Sequence, residues 1–130
     1  MANILIVDDL ETDRFHEAKI VEDAGHTLFF AGDGEAGLTM YKENDIDVVI
    51  TDLRMPKVDG LSLIRGLLAH DPLVPIIAVS SLAQHLEQAE EVGAIKGLVK
   101  PVDPEDLMET VQEILEKVPP PPDDPWGSGV

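Results

Sequence analysis

Four stretches of this chain share one plan: NILIVDD at 3–9, DVVITD at 47–52, PIIAVSS at 75–81 and GLVKP at 97–101 are short apolar runs closed by polar residues. A run such as Val48, Val49 and Ile50 has no polar alternation. That suits a strand covered on both faces, as in a parallel sheet, better than a half-exposed antiparallel one. In open α/β sheets ligands bind outside the carboxyl ends of the strands. The polar residues closing these runs are therefore the first candidates for function.

Helical segments fill the gaps. The first runs from about Glu11 to Ala24, with Gly25 at the position past its end. Its apolar stripe is poor: Ile20 and Ala24 share a face with His16 while Phe15 points elsewhere, so the pattern does not define a buried face, and His16 reads as a core-edge or surface imidazole. Thr27 to Ala31 is a further strand. Gly32-Asp33-Gly34 then turns into a helix through Asn44, N-capped by Asp33, with Gly37, Leu38 and Tyr41 toward the sheet. Asp59 N-caps a third helix with a stripe of Leu61, Ile64, Leu67 and Leu68, ended by His70-Asp71-Pro72. Val74 to Ser80 is the fourth strand. Gln84 to Val92 is a short, polar helix, with Leu86 and Ala89 inward, and is expected to be the least stable. After Gly93-Ala94 comes the fifth strand. Asp103 caps a final helix with Pro104 at its first position and Leu107, Val111, Ile114, Leu115 and Val118 along one side.

Five strands alternating with five helices predict an α/β fold, a single doubly wound domain with parallel strands, right-handed crossovers and helices on both faces. The alternation does not give the strand order. Residues 1–118 form that domain, and VPPPPDDPWGSGV, without helical or strand pattern, makes 119–130 a Pro-rich tail or linker.

The charge narrows the function. Twenty-six acids against 9 bases give −17, a balance that repels nucleic-acid phosphates, and no stretch clusters Lys and Arg as a DNA-reading helix would. The apolar runs fall far short of the roughly 20 residues that cross a bilayer, and no signal-peptide pattern precedes the first strand. The absence of cysteine agrees with a reducing compartment. Together these lead to the expectation of a cytoplasmic protein that contacts neither nucleic acid nor membrane.

The candidate site lies where the runs end. Asp8 and Asp9 close the first strand, Asp52 the third, Ser80 the fourth and Lys100 the fifth. Each has an ordinary explanation. Asp52 can start a turn, Asp8 or Asp9 can cap the first helix, Ser80 the fourth, and Lys100 can neutralise acids structurally. Together they imply more, because three carboxylates at one sheet edge raise one another's pKa values unless a cation sits among them. Hard oxygen donors without His or Cys favour Mg²⁺ over zinc.

On these residues the chain resembles the receiver domain of bacterial two-component response regulators, over about residues 2–118. The resemblance implies a flavodoxin-like strand order 2-1-3-4-5. It also implies that Asp52 accepts a phosphoryl group from the phosphohistidine of a sensor histidine kinase or a histidine phosphotransfer protein. Asp9 and Asp52 would ligate Mg²⁺ directly, Asp8 through water, and Arg54 through its backbone carbonyl. Lys100 would bridge to the phosphoryl oxygens, and Ser80 would be the switch hydroxyl. The chain would then be a switch for protein binding, catalysing only its own phosphorylation and dephosphorylation. An aspartyl-phosphate phosphohydrolase and a non-phosphorylated scaffold receiver are the alternatives. Phosphatases of the haloacid dehalogenase type usually carry an acid two residues after the nucleophile, where this chain has Arg54.

Two positions depart from the pattern. Gly97 stands three before the lysine, where receivers usually carry a switch aromatic, and Val102 stands where an aromatic or leucine often follows the Lys-Pro pair. With no ring to move, Gly97 and the last helix are expected to respond less to phosphorylation than the Ser80 loop and the fourth helix.

Overall fold

The structure is a computed structural model in which residues 2–54 and 59–117 are described. The sequence-predicted tail, with Val118, lies outside the described residues. The elements follow in strict alternation: β1 (Asn3–Val7), α1 (Glu11–Asp23), β2 (Thr27–Ala31), α2 (Gly34–Glu43), β3 (Val48–Asp52), α3 (Gly60–His70), β4 (Ile76–Ser80), α4 (Ala83–Val92), β5 (Lys96–Val99) and α5 (Pro104–Lys117). The five strands form one parallel sheet in the order β2-β1-β3-β4-β5. This is the flavodoxin-like order that the resemblance implied.

The unbroken apolar runs follow from this topology. Along β1, Ile4 and Ile6 point to one layer of the core with Val21, Val48, Ile50, Leu107 and Val111. Leu5 and Val7 point to the other, with Val49, Leu63, Ile64, Leu67 and Leu86. Successive strand residues face opposite sides, so a strand sandwiched between helices must be apolar at every position. β3 and β4 are buried throughout.

Local chemistry sets the helix starts. Asp33 accepts a hydrogen bond from the Ala36 amide at 2.8 Å, and Asp59 accepts one from the Ser62 amide at 2.8 Å, as N-caps do. Asp103 accepts from Glu105 and Asp106 amides at 2.8 and 3.2 Å. α1 starts differently: Leu10 precedes it without a side-chain cap. In α3 the deepest residues are Leu63, Ile64 and Leu67, with Leu61 and Leu68 on the margin of the core, so the face is turned from the one its leucines suggest. The buried face of α1 is Glu17, Ala18, Ile20 and Val21, a set that no apolar periodicity announces because one member is an acid.

One close approach fixes the exit from β3. Gly60, the first residue of α3, donates its N–H to the Leu53 carbonyl at 3.2 Å. A Cβ built there would lie 2.5 Å from the Asp52 carbonyl oxygen and 2.5 Å from Leu53 Cα. Only glycine lets α3 pack this near the backbone of Asp52. Gly60→Ala is expected to destabilise the fold by about 1–3 kcal/mol, the usual cost of overpacking. Gly66→Ala, whose Cβ would meet Leu38 at 3.4 Å, should be tolerated. Denaturant melts of both variants check this, and equal tolerance of the two would show that the β3–α3 contact has slack.

Candidate functional site

Asp8, directly after β1, is fully buried, and both of its oxygens are engaged: Oδ1 accepts from the Leu10 amide at 2.9 Å and Oδ2 from Lys100 Nζ at 3.0 Å. The first contact turns the chain from β1 into α1. Asp9 beside it is exposed. Asp52 ends β3 and is 4% exposed, its Oδ1 accepting from the Leu53 amide at 2.9 Å. Carboxylate oxygens of Asp8, Asp9 and Asp52 lie within 4.8 Å of one another. Ser80 ends β4, buried, its Oγ accepting from the Leu82 amide at 3.1 Å. The Lys100 amide donates to the Ser80 carbonyl at 2.9 Å, which sets the end of β5 level with the end of β4.

Lys100 reaches back over these ends. Its Nζ lies 2.8 Å from Asp13 Oδ2, 3.0 Å from Asp8 Oδ2 and 3.4 Å from Asp52 Oδ1. Burial works against its charge, but the surrounding acids outweigh that, and its pKa is raised. Burial also pushes the Asp52 carboxyl above the ordinary aspartate value; Lys100 pulls it down and Asp8 adds to the rise. A cleft of about 560 Å³ opens over the group, lined by Asp9, Asp13, Asp52, Arg54, Ser80 and Lys100 among others.

All the side chains singled out in the sequence thus meet at the carboxyl edge of the sheet, and Arg54, whose carbonyl was the further expected ligand, lines the same cleft. The donor set fits a hard divalent cation: three carboxylates within reach of one ion, two of them buried, with no His or Cys among them. One lysine leaves an excess of negative charge that such an ion would balance.

A family model for the response regulator receiver domain matches residues 4–112. The chain belongs to the response regulator receiver family. It is 34% identical over 119 residues to Protein PilH of Pseudomonas aeruginosa, covering 88% of this chain and 98% of that one. To chemotaxis protein CheY-3 of Vibrio cholerae it is 32% identical over 120 residues, covering 88% and 92%. Among solved structures, a response regulator receiver domain protein from Clostridium thermocellum superposes with a TM-score of 0.84 at 30% identity, covering 89% and 95%. Membership in a two-component signalling family follows, and no described helix of this receiver is long and apolar enough to cross a membrane.

Three side chains at or near the site escaped sequence reasoning. Asp13 looks like any acid in the first turn of a helix, where the dipole favours it; only the fold aims it at Lys100. Glu90 on α4 accepts a hydrogen bond from the Gly97 amide at 3.0 Å. A Cβ at Gly97 would sit 2.9 Å from Leu86 Cβ and 3.1 Å from Glu90 Oε2, so α4 side chains occupy the space beside β5. α4 thus contacts β5 at Gly97 directly, through the Glu90 carboxylate on its amide and through Leu86. Val102 is buried with Leu107 and Val111, and its carbonyl meets Nε2 of His16, a residue exposed at the surface, at 2.9 Å.

Glu17 is the third. It is buried on α1, and its Oε1 has no hydrogen-bond partner among the described residues. Burial pushes its carboxyl up to about 8, with Asp8, Asp13 and Asp52 adding to the rise and Lys100 opposing it. The folded chain therefore keeps a proton that the unfolded chain releases above its ordinary value of 4.5, so stability falls as pH rises from about 4.5 to about 8 and then levels. Glu17→Gln, which copies the neutral form, should gain on the wild type across that window. Denaturant melts near pH 5 and pH 8.5 without divalent ions measure the change; a gap that does not vary with pH would mean that Glu17 titrates normally.

Proposed function

We propose that this receiver accepts a phosphoryl group on Asp52 from the phosphohistidine of a sensor histidine kinase or histidine phosphotransfer protein, and that the acyl phosphate switches its binding to a downstream protein. The observation that carries the reading is the convergence of Asp8, Asp9, Asp52 and Lys100, with Ser80, on one cleft at the strand ends.

An ionised Asp52 oxygen attacks phosphorus in line with the departing imidazole nitrogen. A P–O bond forms as the P–N bond breaks, and the imidazole leaves with that electron pair and takes up a proton. Little covalent work remains for the protein beyond positioning and neutralising the oxygens in flight. Asp9 and Asp52, with the Arg54 carbonyl, would hold Mg²⁺, and Asp8, whose oxygens are both engaged, would act through water. When bound, Mg²⁺ supplies positive charge to the phosphoryl oxygens and favours the ionised form of Asp52. Lys100 would supply a further compact charge. The chain catalyses only its own phosphorylation and dephosphorylation.

Ser80 carries the signal onward. Its Oγ accepts from the Leu82 amide at the cleft edge, and moving the hydroxyl to donate its O–H to a phosphoryl oxygen would draw Oγ away from that amide and release the start of α4. α4 in turn is tied to β5 through Glu90 and the Gly97 amide. A hydrogen bond and close packing stand where the family usually uses a moving ring.

Incubation with Mg²⁺ and a small phosphoramidate or acyl phosphate should give one acid-stable, base-labile phosphoryl adduct by intact-mass analysis. Asp52→Asn should abolish it with the fold intact, and Asp9→Ala should demand far more Mg²⁺. The same adduct on Asp52→Asn would remove Asp52 from its role, and steady turnover of a generic phosphate ester would favour the phosphohydrolase.

A further inference from the structure

The shortest contact of Lys100 is to a residue that the phosphoacceptor reading leaves without a task. Asp13 Oδ2 lies 2.8 Å from Nζ, against 3.0 Å for Asp8 and 3.4 Å for Asp52. Asp13 lies on α1 at the solvent margin of the cleft, its side chain 37% exposed, while Lys100 is 13% and Asp52 6% exposed. Hydrogen bonds from Lys100 run to Asp8 and Asp13. An ammonium has three N–H groups, so every donor spent on Asp13 is withheld from a group arriving on Asp52.

We propose that Asp13 is a positioning residue that competes with the phosphoryl group for Lys100, an inference that rests on the phosphoacceptor reading. In the resting state Asp13 draws the ammonium toward the mouth of the cleft and adds a negative charge to the carboxylate cluster. That charge favours a divalent cation. It opposes a phosphoryl group twice, by repelling its anionic oxygens and by holding the lysine that should bind them. Asp13 therefore acts in opposite directions on the two ligands of one site. A residue that only stabilised the start of α1 would, when changed, weaken both.

The test is calorimetric titration of the whole chain, first with Mg²⁺ alone and then with beryllofluoride, a phosphoryl mimic, at saturating Mg²⁺. Asp13→Asn keeps an acceptor oxygen for Lys100 and removes the charge. It should bind Mg²⁺ at least about fivefold more weakly and beryllofluoride at least about fivefold more tightly, the effect of one unit charge roughly 4 Å away even at the dielectric of bulk water. Asp13→Glu, which restores the charge, should return both affinities toward wild type. Loss of both affinities in Asp13→Asn, or no change in either, would overturn the competition while leaving Asp52 as phosphoacceptor. A wild-type chain that binds neither Mg²⁺ nor beryllofluoride would overturn the phosphoacceptor reading and the competition with it.

Discussion

A single ammonium holds the functional edge of this receiver together. Lys100 stands at the end of β5, at one margin of the sheet, and pairs with acids from the end of β1, the end of β3 and the first turn of α1. Those carboxylates are brought together by the strand order and would repel one another without it. The pairing is incomplete by design of the charges: one lysine faces Asp8, Asp13 and Asp52, with Asp9 close by. The surplus negative charge is what suits the site to a divalent ion.

The frame around this pairing is rigid where the chemistry needs it. β3 and β4 are buried along their whole length, so Asp52 and Ser80 are carried on backbone that cannot shift without disturbing both core layers. Gly60 brings α3 against the carbonyl of Asp52 with no room for a side chain. The α4 side differs: its helix is short, begins without a side-chain cap and meets β5 through Leu86, Glu90 and the bare backbone of Gly97.

Much of this was legible in the residues, for identifiable reasons. Unbroken apolar runs suit strands covered on both sides, and the polar residues closing such strands fall at the carboxyl edge of a parallel sheet; hence the elements and the five site positions. The strand order came from family resemblance and not from periodicity. What stayed hidden depends on tertiary placement. Glu17 reads as a surface acid because no sequence signal reveals that α1 buries it. Asp13 reads as a helix-dipole acid because its partner is 87 residues away. Gly97 reads as a missing aromatic, since only the packing reveals Leu86 and Glu90 in that space. The buried face of α3 was displaced from Leu61 and Leu68 to Leu63 because three-residue and four-residue spacings overlap in a leucine-rich helix.

If the charge balance at Lys100 is the controlling interaction, removing the ammonium must create a demand that a divalent ion can meet. Thermal melts of the wild type and Lys100→Met, each with and without Mg²⁺, measure this directly. The variant should lose about 3 kcal/mol without Mg²⁺, as expected when buried acids lose their counter-ion, and should gain more from added Mg²⁺ than the wild type does, since a ligand stabilises the state that binds it more tightly. An equal or smaller Mg²⁺ gain in Lys100→Met would contradict the account, because the carboxylates would then not depend on Lys100 for their balance.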